Sequence, residues 1–311
     1  MRHLYSIQEA NLHNSWLTIG NFDGVHLGHQ ALIRKLIADA VLNHAVSVVL
    51  TFHPHPAEVL GRRTGSFYLT TPTERAEFLG SLGVEYVITQ PFSVSLAETS
   101  ASDFVQLLHQ HLGFGKLFVG HDFALGRGRE GDETMLCSMG AKLGFVVQGV
   151  EALELGGKVV SSSRIRQLIE TGEVASANLL LGRPYSIQGK VVPGDRRGRT
   201  IGVPTANIEM DGSLVAPASG VYACKAWVRS PHNQETSYQA AVNIGVRPTF
   251  EGQDPVRRIE AHLIDFSGDL YGQNLRLELI AQLRGEQRFS SIEDLVQQIQ
   301  RDIAATRKLV D

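Results

Sequence analysis

The sequence predicts a two-part chain: a doubly wound parallel α/β sheet, then a small antiparallel β-barrel closed by a terminal helix. Three observations predict it. The length, 311 residues, gives a prior of two domains. The first half alternates apolar β-type runs with helical periodicity, the pattern of βαβ units. Beyond Leu181-Gly182-Arg183-Pro184 the texture changes to short strands separated by Gly, Pro and Asp. The boundary is placed there, giving domains 1–182 and 183–311.

In order, Trp16–Ile19 is a short apolar strand ending at Gly20. A helix after Gly28 carries Leu32, Ile33, Leu36, Ile37, Val41 and Leu42 at the i, i+3/i+4 spacing of one buried face. Val46–Phe52 is β-branched and apolar, as a parallel strand buried on both sides requires. A helix over about 73–82 leads to strand Val84–Thr89, one over about 101–112 to Lys116–Gly120, and one near 132–143 to Phe145–Val150. Two short helices, 162–171 and 173–181, stop at the Gly and Pro. The barrel strands are Ser186–Val192, Val221–Val228, Tyr238–Asn243, Ile259–Ile264 and Leu275–Leu283. Ser290-Ser291-Ile292-Glu293 reads as a helix start, with Ile292, Leu295, Ile299 and Ile303 along one face.

Composition excludes several classes. Hydrophobic residues are 43% and charged residues 20%, too apolar for a disordered chain. The net charge is −3, with 29 cations against 32 anions, and this balance argues against a nucleic-acid partner. Most of the cations are Arg, whose fork suits phosphate, although an overall Arg bias is the better explanation of the count. Cys137 and Cys224 lie in no metal or disulfide spacing, which points to a reducing cytoplasm. The N-terminus has no apolar leader, and no run approaches the ~20 residues of a membrane span. A soluble cytoplasmic protein with no membrane partner is expected.

Chemistry concentrates at two places. The first joins strand to helix: Gly20-Asn21-Phe22-Asp23-Gly24-Val25-His26-Leu27-Gly28-His29. Its glycines permit close backbone approach, and the helix start offers N–H groups and positive dipole character, a phosphate site in outline. His26 and His29 are i, i+3 and share a helix face, where imidazoles can donate to a transferring phosphoryl group. His53-Pro54-His55-Pro56 follows the next strand and falls at the same carboxyl edge of the sheet. Zinc held by these four histidines is the competing reading, but no Cys or carboxylate completes a familiar spacing.

The HxGH string resembles the nucleotidyltransferase superfamily. With Thr51-Phe52-His53-Pro54-His55-Pro56, Val119–Gly128 and Ser161-Ser162-Ser163-Arg164-Ile165-Arg166, the likeness narrows to its flavin-adenylylating branch. Leu125 stands where the family usually has Phe, and Ser163 where it has Thr. The resemblance implies a Rossmann-like sheet. It implies nucleotide binding by Gly20, Phe22, Asp23, Gly24, His26, Gly28, His29, Ser162, Ser163 and Arg166, with His26, His29 and Arg166 acting in catalysis. It also implies flavin binding at His55, Pro56 and Asp122. Taken alone, Arg166 reads as a surface helix arginine.

The second place is Gly194–Asn207. Thr205 and Asn207 alternate, so in a strand they share a side, and their oxygens are hard ligands suited to Mg²⁺ beside phosphates. The string Gly198-Arg199-Thr200-Ile201-Gly202-Val203-Pro204-Thr205-Ala206-Asn207 resembles the riboflavin kinase motif. Gly220–Ala223, Val242–Phe250, Ile259–Phe266, Asp269–Gly272 and Leu283–Phe289 match in order. Ile201 and Val203 replace the more usual Leu and Phe or Ile. The resemblance implies nucleotide binding by Gly198, Arg199, Thr205 and Asn207, Mg²⁺ held by Thr205 and Asn207, and a flavin site at Arg284, Glu286 and Phe289. Glu260 is the implied base: a carboxylate with pKa near ~4.3 is ionised at neutral pH and can take a hydroxyl proton. A surface Glu paired with Arg257 or Arg258 is the alternative.

The likeness spans about residues 14–308 and is to the bifunctional riboflavin kinase/FAD synthetase family. It implies conversion of riboflavin and MgATP to FMN in the barrel, then of FMN and MgATP to FAD in the sheet domain. Competing readings are one degenerate domain, a different nucleotidyltransferase, and a non-catalytic flavin-binding protein.

Overall fold

The computed structural model describes residues 1–194, 202–229, 235–247 and 256–310. It divides into two compact units, Met1–Ser162 and Ser163–Asp311.

The first unit is built on six parallel strands: β1 (Arg2–Leu4), β2 (Ser15–Ile19), β3 (Val46–His53), β4 (Tyr86–Pro91), β5 (Phe114–Gly120) and β6 (Val146–Val150). Their order is β1-β4-β3-β2-β5-β6. The chain runs outward from β2 through β3 and β4, then returns to place β5 on the other side of β2. That reversal opens a crevice beyond the carboxyl ends of β2 and β5. The linking helices are α1 (Leu27–Leu42), α2 (Pro56–Val59), α3 (Pro72–Ser81), α4 (Val94–Ala97), α5 (Ala101–Leu112) and α6 (Glu133–Leu143), and a hairpin, β7 (Glu154–Leu155) and β8 (Lys158–Val159), precedes the second unit. Both sheet faces are covered: Phe104, Leu108 and Leu136 pack on one, and Ile33, Leu36 and Leu79 on the other.

The parallel sheet is as expected, with two differences. β1 is too short to announce itself and is fixed by pairing with Tyr86–Ile88. On α1 the buried residues are Leu32, Ile33, Leu36 and Ala40, while Val41 and Leu42 are exposed, because the core ends with the strands it covers.

The second unit begins with α7 (Ser162–Glu170), whose first residue closes the first unit, and α8 (Val174–Leu181). It continues as a closed antiparallel barrel of β9 (Tyr185–Val192), β10 (Ala206–Met210), β11 (Gly220–Arg229), β12 (Glu235–Arg247), β13 (Val256–Leu263) and β14 (Asn274–Gly285), ordered β10-β13-β12-β11-β14-β9. Period-2 patterning fills it: Ile259, Ala261 and Leu263 are buried inside, and Glu260 and His262 face outward. Asn178 ties α8 to this unit, donating to the Leu279 carbonyl at 2.8 Å and accepting from the Tyr185 N–H at 2.7 Å. The last helix, α9 (Ile292–Leu309), is capped by Ser291, which accepts from the Asp294 N–H. Its packed face is not purely apolar. Ile292 is exposed, and Asp302 and Thr306 are buried. Among the described residues no helix is long and apolar enough to cross a membrane.

Candidate active sites

The strand-to-helix loop after β2 is a tight, partly left-handed turn. Phe22, Gly24 and Val25 all have φ between 41 and 82°. For a β-branched residue such as Val25 this is costly, and backbone strain of this kind collects at functional loops. The Phe22 ring lies against Gly20, where an added Cβ would stand 3.0 Å from it, and the His26 ring lies similarly against Gly28. These contacts explain both glycines. His26 caps α1: its Nδ1 accepts from the His29 N–H at 3.3 Å. The neutral ring then carries its proton on Nε2. The His26 and His29 rings are stacked 3.6 Å apart, and His29 meets the Phe22 ring edge-on. Asp23 points inward. Its carboxylate accepts from the N–H groups of Leu69 and Thr70, while the Ser162 hydroxyl donates to its carbonyl at 2.9 Å. Ser163 and Arg166 stand on α7 in the second unit, and Arg166 is buried.

At the crevice lies a cavity of about 490 Å³, lined by Gly20 and Asn21 after β2, by Phe52, Phe92, Phe104 and Phe123, and by Arg62 and Arg129. The volume and the aromatic walls suit a flat fused-ring ligand. Pro56 and Asp122 also line it. His55 caps α2 by accepting at Nδ1 from the Ala57 N–H at 3.0 Å, and its backbone N–H donates to the Tyr68 hydroxyl. Burial, then the hydrogen bond to Glu58, pushes Tyr68 up to about 12.

The barrel site is on its outer wall. Asn207 on β10, Glu260 on β13 and Asn243 on β12 are directly opposed across three neighbouring strands. Directly opposed residues of antiparallel strands share a face. The Glu260 carboxylate pairs with Arg258 at 2.7 Å. The Asn207 carboxamide sits over Gly194, where an added Cβ would come within 2.1 Å of its Nδ2. Thr205 and Pro204 line a smaller cavity of about 90 Å³ with Asp269 and Tyr271. His262 Nδ1 lies 2.8 Å from the Pro204 carbonyl and, in the tautomer that donates from Nδ1, pins the segment before Thr205. Glu286 reaches over Gly245 on β12, its carboxylate 2.7 Å from where a Cβ would stand. The Arg284 fork is engaged elsewhere, bidentate on buried Asp302 at 2.9 and 3.1 Å, with the Phe289 ring beneath it at 5.6 Å.

Comparison with known proteins now decides the family. An FAD synthetase family model matches residues 8–164, and a riboflavin kinase model matches residues 181–310. A bifunctional riboflavin kinase/FMN adenylyltransferase of Escherichia coli (strain K12) is 37% identical, over 99% of this chain and 96% of the relative. The chain belongs to the bifunctional riboflavin kinase/FMN adenylyltransferase family. The Bacillus subtilis (strain 168) relative of the same name is 38% identical over 96% of this chain and 93% of its own. A Streptococcus pneumoniae chain, whose crystal structure is described as a macrolide-efflux protein, superposes with a TM-score of 0.88 at 30% identity, covering 98% of both chains.

Several residues of the riboflavin kinase/FMN adenylyltransferase sites escaped sequence reasoning. Arg62 and Arg129 line the large cavity without belonging to a quoted string, and Asn21 lines it from within the Gly20–His29 string without having been singled out there. Asn243 lies in a quoted motif, but only strand register reveals that it faces Glu260. Gly198 and Arg199 fall outside the described residues. Among the described residues no three of His, Cys, Asp or Glu gather as a metal site.

Proposed function

We propose that the barrel unit phosphorylates riboflavin to FMN with ATP, and that the N-terminal unit adenylylates FMN to FAD with release of pyrophosphate. The observation that carries this reading is that an FAD synthetase family model and a riboflavin kinase family model match separate stretches of the one chain. The functional boundary is taken at 182/183, just inside the start of the riboflavin kinase match. The substrates are riboflavin, FMN and ATP, and the setting is cytoplasmic.

In the kinase reaction Glu260 accepts the proton of the flavin's primary hydroxyl as that oxygen attacks the γ-phosphorus and ADP departs. Arg258 holds the carboxylate on the outer wall before substrate arrives. The Thr205 hydroxyl borders the smaller cavity and Asn207 stands opposite Glu260; both are hard oxygen donors of the kind that fit Mg²⁺ completed by phosphates and water. When bound there, the ion supplies neutralising charge to the β- and γ-phosphates. Glu286 and Phe289 border the flavin, while Arg284, bound to Asp302, holds their loop.

In the adenylyl transfer an FMN phosphate oxygen attacks the α-phosphorus and pyrophosphate leaves. The nucleophile is already anionic, so no strong base is needed. Stacked His26 and His29 at the α1 N-terminus donate to the transferring group, and the Ser162 hydroxyl stands beside the same loop to meet an ATP phosphate. The aromatic cavity at Pro56 and Asp122 takes the flavin rings.

The test is a double dissociation. Glu260→Gln lowers riboflavin phosphorylation by at least ~10²-fold and leaves FMN adenylylation intact. His29→Ala lowers FAD formation by a similar ~10²-fold and spares the kinase. Loss of both activities in either folded variant would overturn the assignment.

A further inference from the structure

Arg75 lies on α3, one turn past a capping box in which Thr71 and Glu74 exchange hydrogen bonds. Its sequence setting is that of a surface helix arginine, yet it is fully buried. A guanidinium withdrawn from water needs several acceptors in fixed directions, and these define what it holds together. One nitrogen, Nη1, donates to the Thr51 hydroxyl at 3.1 Å and to the Phe52 carbonyl at 3.2 Å. The other, Nη2, reaches the Thr70 carbonyl at 3.5 Å and stands 3.6 Å from the Asp23 carboxylate, itself 1% exposed.

Each acceptor belongs to a different part of the adenylylation site. Phe52 is a wall of the flavin cavity. Thr51 passes the contact on, its hydroxyl donating at 2.9 Å to the carbonyl of Asn21, which lines the same cavity. Asp23 belongs to the nucleotide loop, and Thr70 accepts from the Gly24 N–H of that loop at 3.2 Å. One buried side chain thus fastens the nucleotide loop, the end of β3 and the 67–71 segment at fixed spacing.

We propose that Arg75 is the positioning residue that sets the nucleotide loop against the flavin cavity, and so aligns the attacking phosphate with the α-phosphorus. This rests on the adenylylation reading of the first unit. An in-line transfer between two separately bound substrates is sensitive to their spacing, and a misplacement near 1 Å costs on the order of 10²-fold in rate.

The experiment uses the full-length chain carrying Arg75→Leu or Arg75→Lys. Steady-state FMN adenylylation, riboflavin phosphorylation and amide hydrogen exchange are measured on each. For folded Arg75→Leu, kcat for FAD formation falls about 10²-fold. The KM values for FMN and ATP both rise, and the barrel's kinase rate is retained. Exchange accelerates at 20–25 and 67–71 while β2, β3 and β5 keep their protection. Arg75→Lys restores part of the rate, since an ammonium keeps the charge beside Asp23 but lacks the fork. If Arg75→Leu does not fold, Thr51→Val carries the test. It removes the hydroxyl linking Arg75 to Asn21 at near-constant volume, and about a tenfold loss is expected.

Wild-type kinetics in folded Arg75→Leu, or in Thr51→Val, would overturn the proposal. So would faster exchange spread evenly over the first unit, which is the mark of a purely structural arginine. A wild-type chain that makes no FAD from FMN would instead defeat the adenylylation reading. The confined or even exchange pattern would then still decide whether Arg75 positions the loop.

Discussion

Replacing Gly194 by Ala tests the barrel site at the scale of a single methyl group. Gly194 has no left-handed backbone, so Ala takes its conformation without strain. The added Cβ would nonetheless stand 2.1 Å from Nδ2, 2.5 Å from Cγ and 2.7 Å from Oδ1 of Asn207, against 3.4–4 Å for an ordinary contact. The carboxamide must therefore swing away by more than about 1 Å, carrying its oxygen off the Mg²⁺ position. Misplacement on that scale costs on the order of 10²-fold in rate. Disturbing a metal's surroundings typically costs ~10–100-fold in affinity or activity. The account expects kcat for riboflavin phosphorylation to fall about 10²-fold and the half-saturating Mg²⁺ concentration to rise ~10–100-fold. FMN adenylylation should be unchanged, and Tm should move by less than about 4 °C, corresponding to under ~1 kcal/mol. Product chromatography across a Mg²⁺ titration gives all the kinetic values. An unchanged kcat and Mg²⁺ midpoint in Gly194→Ala would refute the placing of the ion at Asn207.

Two further expectations concern the scaffold. Asp302→Asn breaks the bidentate pair with Arg284, leaves a mostly buried guanidinium without its charge partner, and should cost roughly 2–4 kcal/mol of barrel stability. It should also raise the KM for riboflavin through the Glu286–Phe289 loop. An unaltered melting curve would show that the pair is idle. Tyr68, held at about 12 by burial and by Glu58, keeps its proton more tightly folded than unfolded. That stabilisation is complete below pH ~10 and is lost as pH rises toward about 12, and Tyr68→Phe should remove this alkaline loss. Ultraviolet titration of the wild type and Tyr68→Phe checks it, and a Tyr68 hydroxyl titrating near 10 would contradict it.

The sheet and barrel were legible in sequence because their signals are local. β-branched runs such as Val46–Phe52 and alternation such as Ile259–Leu263 need no tertiary context to be read. The ordered glycine and histidine string after β2 was likewise specific enough to resemble the family that the FAD synthetase match then shows. What stayed hidden depends on partners distant in sequence. Arg75 looks like any solvent-facing helix arginine until β3 and the 67–71 segment close around it. Arg284 reads as a flavin contact until α9 presents Asp302. That His55 caps α2 is likewise invisible until the turn forms. The helical period of α1 continues to Val41 and Leu42 although the core it faces has already ended. Periodicity reports which side of an element is apolar, not how far its neighbour extends.

The central claim is that one chain performs two successive transfers. It is tested most directly by incubating the full-length protein with ATP, Mg²⁺ and riboflavin, beside a second incubation that starts from FMN, and separating the products over time. The account predicts FMN and then FAD from riboflavin, and FAD alone from FMN. FMN that accumulates without FAD, or FAD formed only when FMN is supplied, would contradict it.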